Sequence, residues 1–239
     1  MRTALVLSAG GLFAAWEAGV WKALCGRFQP DLIVGTSAGA WNGWAIAGGC
    51  EPSELIAEWR DPRIAAILRA GLHPGGISRA GPLRRKARQL FNRFHPRLPF
   101  GLTVVEVPGM RPRLILDSAI TWRHLAATCS VPLVFPPVKI EGRRYVDGGL
   151  LGALPLWAAA EMGATRVIAV NALTTLPLRI LGAVMRSRRA GRELEIVRIE
   201  PPEPLGPLRD AFRWSAVNIE RWIAQGESDA KRVASSITM

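Results

Sequence analysis

One serine stands in a pattern that suits nucleophilic catalysis. Ser37 is the centre of Gly35-x-Ser37-x-Gly39, after the apolar residues 32–34 and before a helical pattern over residues 38–47. The glycines permit a sharp turn that lifts the hydroxyl clear of the backbone at a helix N-terminus, where negative charge is favoured. The same pattern is also typical of an ordinary strand–helix turn in which the serine caps the helix. The motif alone leaves both interpretations open.

A nucleophilic serine needs a base, and the sequence argues against a histidine. In a conventional α/β-hydrolase the histidine comes last in the triad, whereas none lies after residue 147: the histidines are His73, His95 and His124. A triad of Ser37, Asp117 and His124 would squeeze acid and base into eight residues. We expect His124 to cap or pack a helix instead.

The order of elements predicts an α/β fold. Residues 3–8 form a continuous apolar run, as expected of a strand buried on both faces. Helical spacing follows over residues 14–24, with its apolar residues on one face. A second short strand at 32–34 and a second helix at 38–47 come next. Alternation of this kind builds layered folds, so we expect a three-layer α/β/α sandwich with a mostly parallel central sheet.

The later part of the chain continues this architecture with weaker signals. The expected elements are a helix opening at Pro52 with Ser53 as its N-cap, strands at 102–107 and 113–116, a helix at 122–128, an extended segment at 132–137, a hairpin at 139–146, a helix at 155–162, strands at 166–171 and 194–199, and a C-terminal helix pair from 207. Residues 61–100, rich in Gly, Pro and Arg, are expected to be a lid or a peripheral insertion. Without a repeat or linker, we expect one domain over residues 1–239.

The charge balance favours anionic partners. The chain has 31 Lys and Arg against 19 Asp and Glu, a formal charge of +12. No recognised nucleic-acid module accompanies this charge, so no nucleic-acid partner is expected. Residues 176–192 alternate apolar residues with Arg, and further Arg crowd residues 79–97. These segments predict either peripheral contact with an anionic membrane or solvated helices that pack on the domain.

Cysteine usage and hydropathy indicate a cytoplasmic protein, with membrane contact at most peripheral. Cys25, Cys50 and Cys129 are scattered and form no Cys-x-x-Cys pair, which argues against a disulfide framework or a zinc site. No apolar run is long enough to span a membrane. The N-terminal run is short and breaks at Gly10-Gly11, so we interpret it as a strand rather than a signal peptide.

Four blocks of sequence, in order, resemble the patatin-like phospholipase family. Residues 7–20 are similar to its glycine-rich opening, and residues 35–40 resemble its nucleophile elbow. Residues 129–137 resemble its Ser-x-x-Pro-x-x-Phe-x-Pro stretch, and Asp147-Gly148-Gly149 resembles its catalytic-aspartate turn. Residues 223–227 also look like the family's last helix. The likeness spans nearly the whole chain and is loose only over residues 61–100.

The resemblance implies a lipid acyl hydrolase that uses a Ser–Asp dyad. The sequence shows no metal-ligand cluster, and no metal or cofactor is expected. Ser37 would attack the ester carbonyl, Asp147 would accept its proton, and water would then hydrolyse the acyl-enzyme. Backbone N–H groups of Gly10, Gly11 and Leu12 would form the oxyanion hole. The expected partner is a lipid or another acyl ester. Without the resemblance, a hairpin turn is the better interpretation of Asp-Gly-Gly.

Two departures from the family pattern leave the substrate and the activity open. Phe13-Ala14 stands where members usually carry a cation followed by glycine, and Ala9 replaces the usual first glycine. A lost cation weakens the case for an anionic head group. The alternatives are therefore an acyltransferase, or a catalytically silent member that binds lipid or membrane. Trp41 and Trp44, one helical turn apart behind Ser37, belong either to the core or to an acyl channel.

Overall fold

The computed structural model describes residues 1–68, 70–73, 76–78, 80–174 and 194–234. Within them the helices are α1 (Ala14–Leu24), α2 (Ala38–Ala47), α3 (Pro52–Arg60), α4 (Ala80–Arg93), α5 (Trp122–Ala127), α6 (Leu156–Glu161) and α7 (Ala216–Val233). The strands are β1 (Thr3–Leu7), β2 (Leu32–Thr36), β3 (Ala70–His73), β4 (Gly76–Ser78), β5 (Phe100–Val107), β6 (Arg111–Leu116), β7 (Val138–Ile140), β8 (Arg143–Asp147), β9 (Arg166–Val170) and β10 (Glu195–Ile199).

Eight of these strands form one mixed sheet. Its hydrogen-bonded neighbours follow the order β10-β9-β1-β2-β5-β8-β7, and β6 also pairs with β5. The five strands from β10 to β5 are parallel to one another, whereas the pairs that involve β6, β7 and β8 are antiparallel. The expected mostly parallel sheet is therefore confirmed for its central part, with an antiparallel extension beyond β5.

Helices cover both faces of the sheet and complete the α/β/α layers. Alternate residues of β1 show this division, because side chains along a strand point to opposite faces. Leu5 and Leu7 belong to the larger core under α1, α2 and α7. Ala4 and Val6 belong to the smaller core under α6. None of the helices in the described ranges is long and apolar enough to cross a membrane.

Helix α1 is buried between the sheet, α3 and α7. The sequence suggested one apolar face, but every residue of α1 except Lys22 is buried. Glycines allow α1 and α7 to approach closely: a Cβ on Gly19 would lie 2.0 Å from the Ile223 carbonyl oxygen. A Cβ on Gly226 would lie 2.0 Å from the Trp16 carbonyl oxygen. Because its neighbours cover almost the whole helix, α1 has buried residues on every side, which explains the difference from the prediction.

The predicted elements of the sheet and the helices around it are confirmed, with bounds shifted by a residue or two. Helices α1 and α2 begin and end where the sequence placed them. The hairpin before Asp147 is also confirmed as β7 and β8. In residues 61–100 the chain forms a short 3₁₀ helix, the β3–β4 hairpin and α4 before β5 begins at Phe100.

Three local predictions are wrong. Ser53 is not the N-cap of α3, because the helix already begins at Pro52 and Glu51 occupies the cap position. Residues 132–137 are not extended: the Val134 and Phe135 N–H groups both donate to the Val131 carbonyl and close a turn. After residue 207, α7 is preceded by a short 3₁₀ helix (Leu208–Phe212) rather than by a second α-helix. The predicted interfacial segment 176–192 and Arg79 lie outside the described residues.

We expect Gly19→Ala to destabilise the protein by about 3 kcal/mol or more, because the added methyl group meets the backbone of α7 and overpacking is costly. Urea denaturation would measure this loss. Gly81→Ala is the matched control, since Gly81 lies in α4 and its nearest neighbour is the end of the Arg85 side chain at 3.7 Å. The control should be neutral or slightly more stable. Equal stabilities of the two variants would contradict the close packing of α1 on α7.

Candidate active site

Strand β5 brings the carboxyl ends of two distant strands together. The last pair between β2 and β5 joins Thr36 to Thr103. The end of β8 pairs with the next residue of β5, because Asp147 lies opposite Val104. Both strands use the same edge of β5, since β6 pairs with residues 101–106 along the other edge. Because Ser37 directly follows Thr36, the serine and Asp147 meet at this junction.

The Ser37 hydroxyl donates a hydrogen bond of 2.6 Å to Asp147 Oδ2. The other carboxylate oxygen, Oδ1, accepts the Gly149 N–H at 2.7 Å, which fixes the plane of the carboxylate. Ser37 occupies the N-cap position of α2 but makes no side-chain capping bond. The hydroxyl therefore serves the contact with Asp147, and the interpretation of Ser37 as a helix cap is wrong.

Ser37 has a strained backbone, with φ of 55° and ψ of −130°. A residue other than glycine in this region costs of order 1–3 kcal/mol and persists only where its surroundings enforce it. Here the Ser37 N–H donates to Thr128 Oγ1 at 2.9 Å, and that hydroxyl in turn donates to the Thr103 carbonyl at 2.8 Å. Thr128 thereby ties the strained turn to β5.

Burial raises the pKa of Asp147 to about 7, while the hydrogen bonds from Ser37 and from the Gly149 N–H lower it. The residue is 4% exposed, and Ser37 is 6% exposed. The neighbouring Cys129 thiol has its pKa raised well above the usual range by burial and by the Asp147 charge. A carboxylate with this pKa is a much better proton acceptor near neutral pH than an ordinary aspartate.

The glycines of the elbow provide space rather than unusual backbone angles. The sequence suggested that Gly35 and Gly39 allow the sharp turn, yet the left-handed residue is Ser37 itself. A Cβ on Gly39 would lie 2.3 Å from the Ser8 carbonyl oxygen, and one on Gly35 would lie 2.5 Å from the Ala40 Cα. Both glycines therefore let α2 pack directly against the ends of β1 and β2.

The turn after Asp147 is equally crowded. A Cβ on Gly148 would lie 2.4 Å from the Thr103 carbonyl oxygen, and one on Gly149 would lie 2.8 Å from the Ala9 Cβ. Gly149 also donates its N–H to the carboxylate. These two glycines leave space for the aspartate turn to approach its neighbours closely. They approach β5 and the segment after β1, which flank the elbow.

The segment from Ala9 to Leu12 lies beside this junction at the carboxyl end of β1. Ala9 contacts the aspartate turn through Gly149, and its N–H donates to the Ala153 carbonyl at 2.7 Å. Gly11 takes the left-handed conformation, with φ of 55°, and a Cβ there would lie 2.5 Å from a carbonyl oxygen. Within the described residues, no acceptor receives the N–H groups of Gly10, Gly11 or Leu12. Their role as an oxyanion hole stays a prediction.

The departure at residues 13–14 has a structural explanation. Phe13 is 1% exposed and packs edge-to-face on Trp222 of α7, with ring centroids 5.0 Å apart. The position of the family's usual cation is thus part of the hydrophobic core. Ala14 adopts an ordinary right-handed conformation with φ of −64°, so the missing glycine causes no strain there.

The alternative triad is not assembled. His124 Nδ1 accepts the Thr121 N–H at 3.1 Å at the start of α5, as expected of a capping residue. Asp117 Oδ1 accepts the Ser118 N–H beside it. Trp41 and Trp44 are buried, and each indole N–H donates to a backbone carbonyl, from Leu125 and Leu90 respectively. These contacts favour the interpretation of both tryptophans as core residues.

Sequence reasoning missed a second buried carboxyl close to the site. Glu17 of α1 is 1% exposed and hydrogen-bonds Ser8 Oγ at 3.2 Å and Asn42 Nδ2 at 3.0 Å. Burial raises the pKa of Glu17 to about 8, although both hydrogen bonds lower it. Thr128 was missed as well, and no local pattern signals either residue, because their partners are distant in sequence. In the described part of the chain, no cluster of three or more His, Cys, Asp or Glu could hold a metal.

Comparison with known proteins identifies the family of this chain. The model of the patatin-like phospholipase family matches residues 5–160. Patatin-like phospholipase domain-containing protein 7 of Rattus norvegicus is 27% identical over 184 residues, which cover 70% of this chain and 13% of that protein. An uncharacterized NTE family protein of Mycobacterium tuberculosis is 29% identical over 182 residues, which cover 71% of this chain and 49% of that protein. This chain thus spans at most about half the length of these relatives.

A solved structure supports the fold. VipD from Legionella pneumophila is similar with a TM-score of 0.58 and 12% identity, over 99% of this chain and 67% of that one. The family model and the assembled fold agree, and this chain belongs to the patatin-like phospholipase family.

We expect Thr128→Val to lower the free energy of unfolding by about 1–3 kcal/mol, because the buried Ser37 N–H and Thr103 carbonyl both lose their partner. Thr128→Ser keeps the hydroxyl and is the matched control. Urea denaturation of the two variants should show the larger loss for valine. A valine variant as stable as the serine variant would contradict the proposed anchoring of the elbow.

Proposed function

We propose that this protein is a lipid acyl hydrolase that cleaves acyl esters with Ser37 as nucleophile and Asp147 as general base. The observation that carries this proposal is the 2.6 Å hydrogen bond from the Ser37 hydroxyl to a buried carboxylate. Membership of the patatin-like phospholipase family supports a lipid ester as the substrate. The positive φ of Ser37 at the start of α2 supports its assignment as the nucleophile.

In the first half of the reaction, Ser37 Oγ attacks the ester carbonyl carbon while its proton passes to Asp147 Oδ2. The tetrahedral intermediate then collapses. The bond to the leaving alkoxide breaks, and this oxygen takes the proton from Asp147. The acyl group remains on Ser37 as an ester. Gly149 holds Oδ1 throughout, so that Oδ2 stays directed at the reacting oxygen.

In the second half, water replaces the alcohol. Asp147 accepts a proton from the water molecule as its oxygen attacks the acyl-enzyme carbonyl. Collapse of this intermediate releases the carboxylic acid and returns the proton to Ser37. The same carboxyl group thus accepts and donates a proton in both halves. A pKa near neutrality suits both tasks.

The oxyanion is assigned to backbone donors at the end of β1. The N–H groups of Gly10, Gly11 and Leu12 follow a segment that packs against the elbow and the aspartate turn. Each donor directed at the oxyanion contributes about 3 kcal/mol to transition-state stabilisation. The Ser37 N–H is not assigned to this role, because it is bonded to Thr128.

Peripheral contact with an anionic membrane is part of the same proposal. Arg84, Arg85 and Arg88 are exposed on α4, and Arg88 stacks over Trp122 at 4.2 Å from the ring centroid. Basic residues near an anionic bilayer contribute about 1 kcal/mol each. Acyl transfer to an alcohol other than water uses the same acyl-enzyme, and product analysis with a competing alcohol distinguishes the two outcomes.

We expect Ser37→Ala and Asp147→Asn each to lower kcat on a short-chain p-nitrophenyl ester by about 10³-fold or more. A fluorophosphonate should label the wild-type protein at Ser37 and should not label Ser37→Ala. Ser118→Ala, which alters an exposed serine, serves as the control and should retain activity. Turnover that survives Ser37→Ala would contradict the assignment. Lipid binding without turnover of any ester would instead indicate a silent family member.

The pH dependence tests the base. Because only the ionised form of Asp147 accepts the proton, kcat/KM should rise about tenfold per pH unit below pH 7 and level off above it. The rate of fluorophosphonate labelling should follow the same curve. Glu17→Gln should show the same rise of kcat/KM below pH 7, since the rise is assigned to Asp147 and not to Glu17. A limb centred near pH 4 would mean that Asp147 has an ordinary pKa and that burial does not tune it.

A further inference from the structure

A chain of buried hydrogen bonds joins α3, α2 and α1 to the segment that precedes Gly10. The Trp59 indole N–H donates to Asn42 Oδ1 at 2.8 Å, and Asn42 Nδ2 donates to Glu17 Oε2 at 3.0 Å. The Ser8 hydroxyl donates to Glu17 Oε1 at 3.2 Å. Ser8 Oγ also accepts the Ala172 N–H at 2.9 Å. The proposed Ser37–Asp147 reaction does not use any of these side chains.

The network ends directly beside residues 9–12, the segment that carries the proposed oxyanion donors. Ser8 directly precedes Ala9, so the Ser8–Glu17 hydrogen bond lies next to this segment. Ala172, which Ser8 holds, packs against Gly10, where an added Cβ would lie 3.3 Å from the Ala172 Cβ. Asn42 lies in α2, the helix that begins directly after Ser37. Glu17 therefore connects the helix behind the nucleophile to the segment that carries the N–H donors.

A buried carboxyl group is an unusual choice for such a connection. Charged side chains are rarely buried without a partner of opposite charge, and the hydrogen-bond partners of Glu17 are neutral. Burial raises its pKa to about 8, so the group is mainly protonated at neutral pH. The carboxyl group accepts from the Asn42 amide through one oxygen and from the Ser8 hydroxyl through the other. It can therefore satisfy Asn42 and Ser8 at once.

We propose that Glu17 is a positioning residue, which acts through Ser8 and Asn42 to hold residues 9–12 in the conformation that presents their N–H groups to the oxyanion. The inference rests on the proposed function. Glu17 does not contact the dyad in this arrangement. Its effect on the reaction is confined to the geometry of the donors, and geometry of this kind stabilises the transition state more than the bound substrate.

The test compares Glu17→Leu with Glu17→Gln and Ser8→Ala. Leucine removes both hydrogen bonds. Glutamine keeps an oxygen that accepts from Asn42, and its amide N–H can donate to Ser8 Oγ, which reverses the direction of that hydrogen bond. We expect Glu17→Leu to lower kcat by about 10- to 100-fold, with KM changed by less than about twofold. The loss of kcat should be smaller than for deletion of an oxyanion donor, because the N–H groups are displaced but still present. Glu17→Gln should stay within about threefold of the wild type. Ser8→Ala breaks the same network with a smaller change and covers the case in which Glu17→Leu does not fold.

Trp16→Phe is the matched control. It removes another buried hydrogen bond of α1, the 2.8 Å bond from the Trp16 indole to Asp229, which points to α7 instead of to Ser8. This control should lower stability and leave kcat unchanged. Amide hydrogen exchange provides a readout without turnover. Exchange at the hydrogen-bonded N–H groups of Ala9 and Phe13, which flank the segment, should accelerate about tenfold in Glu17→Leu and Ser8→Ala, and it should not change in Glu17→Gln or Trp16→Phe.

Unchanged kcat and unchanged exchange in both Glu17→Leu and Ser8→Ala would overturn the inference. A loss of kcat that Trp16→Phe shares would also overturn it, because the effect would then be general destabilisation. A wild-type protein that neither hydrolyses esters nor reacts with the fluorophosphonate would instead contradict the proposed function. The exchange data would still decide in that case whether Glu17 holds residues 9–12.

Discussion

Strand β5 offers one edge to two strands that run in opposite directions, and the proposed chemistry depends on how they meet there. β2 ends opposite Thr103, and β8 ends opposite Val104. Hydrogen-bond register along a strand is fixed to single residues, so a shift of either strand by one pair would separate the serine from the carboxylate or turn one of them away. The distance of 2.6 Å between Ser37 Oγ and Asp147 Oδ2 is thus a consequence of strand register. Thr128 and Gly148, which contact the same stretch of β5, then fix the two turns that follow.

Much of the architecture could be predicted because its signals are local. Continuous apolar runs identified the buried strands, and the predicted bounds of α1 and α2 are those observed. The errors arose where the local sequence fits more than one conformation, or where tertiary contacts decide. Prolines in residues 132–137 suggested an extended chain, but proline is also compatible with a turn, and the Val131 carbonyl closes one there. The single apolar face expected for α1 failed because α7, far away in sequence, covers the opposite face.

The candidate site also contains residues that the sequence predicts and residues that it does not. The Ser37 motif and the Asp147 turn are each a short contiguous stretch of sequence, and the resemblance to the patatin-like phospholipase family implied that they form a pair. No sequence motif marks Thr128 or Glu17. Thr128 lies 91 residues from the N–H that it accepts, and Asn42 lies 25 residues from Glu17. A threonine near a helix end and a glutamate within a helix are ordinary residues in sequence. Only the packing of α2 and of the segment after β1 gives them polar partners.

The electrostatics of the site follow from burial rather than from charge pairing. The hydrogen-bond partners of Asp147 and of Glu17 are neutral, and desolvation is the largest influence on both pKa values. A cation beside Asp147 would favour its ionised form and lower its pKa, and the carboxylate would then be a weaker base for a hydroxyl. The family's usual cation position belongs here to Phe13, which packs on Trp222 in the core. In the proposed mechanism the oxyanion is stabilised by backbone N–H groups, and their contribution depends on how firmly residues 9–12 are held.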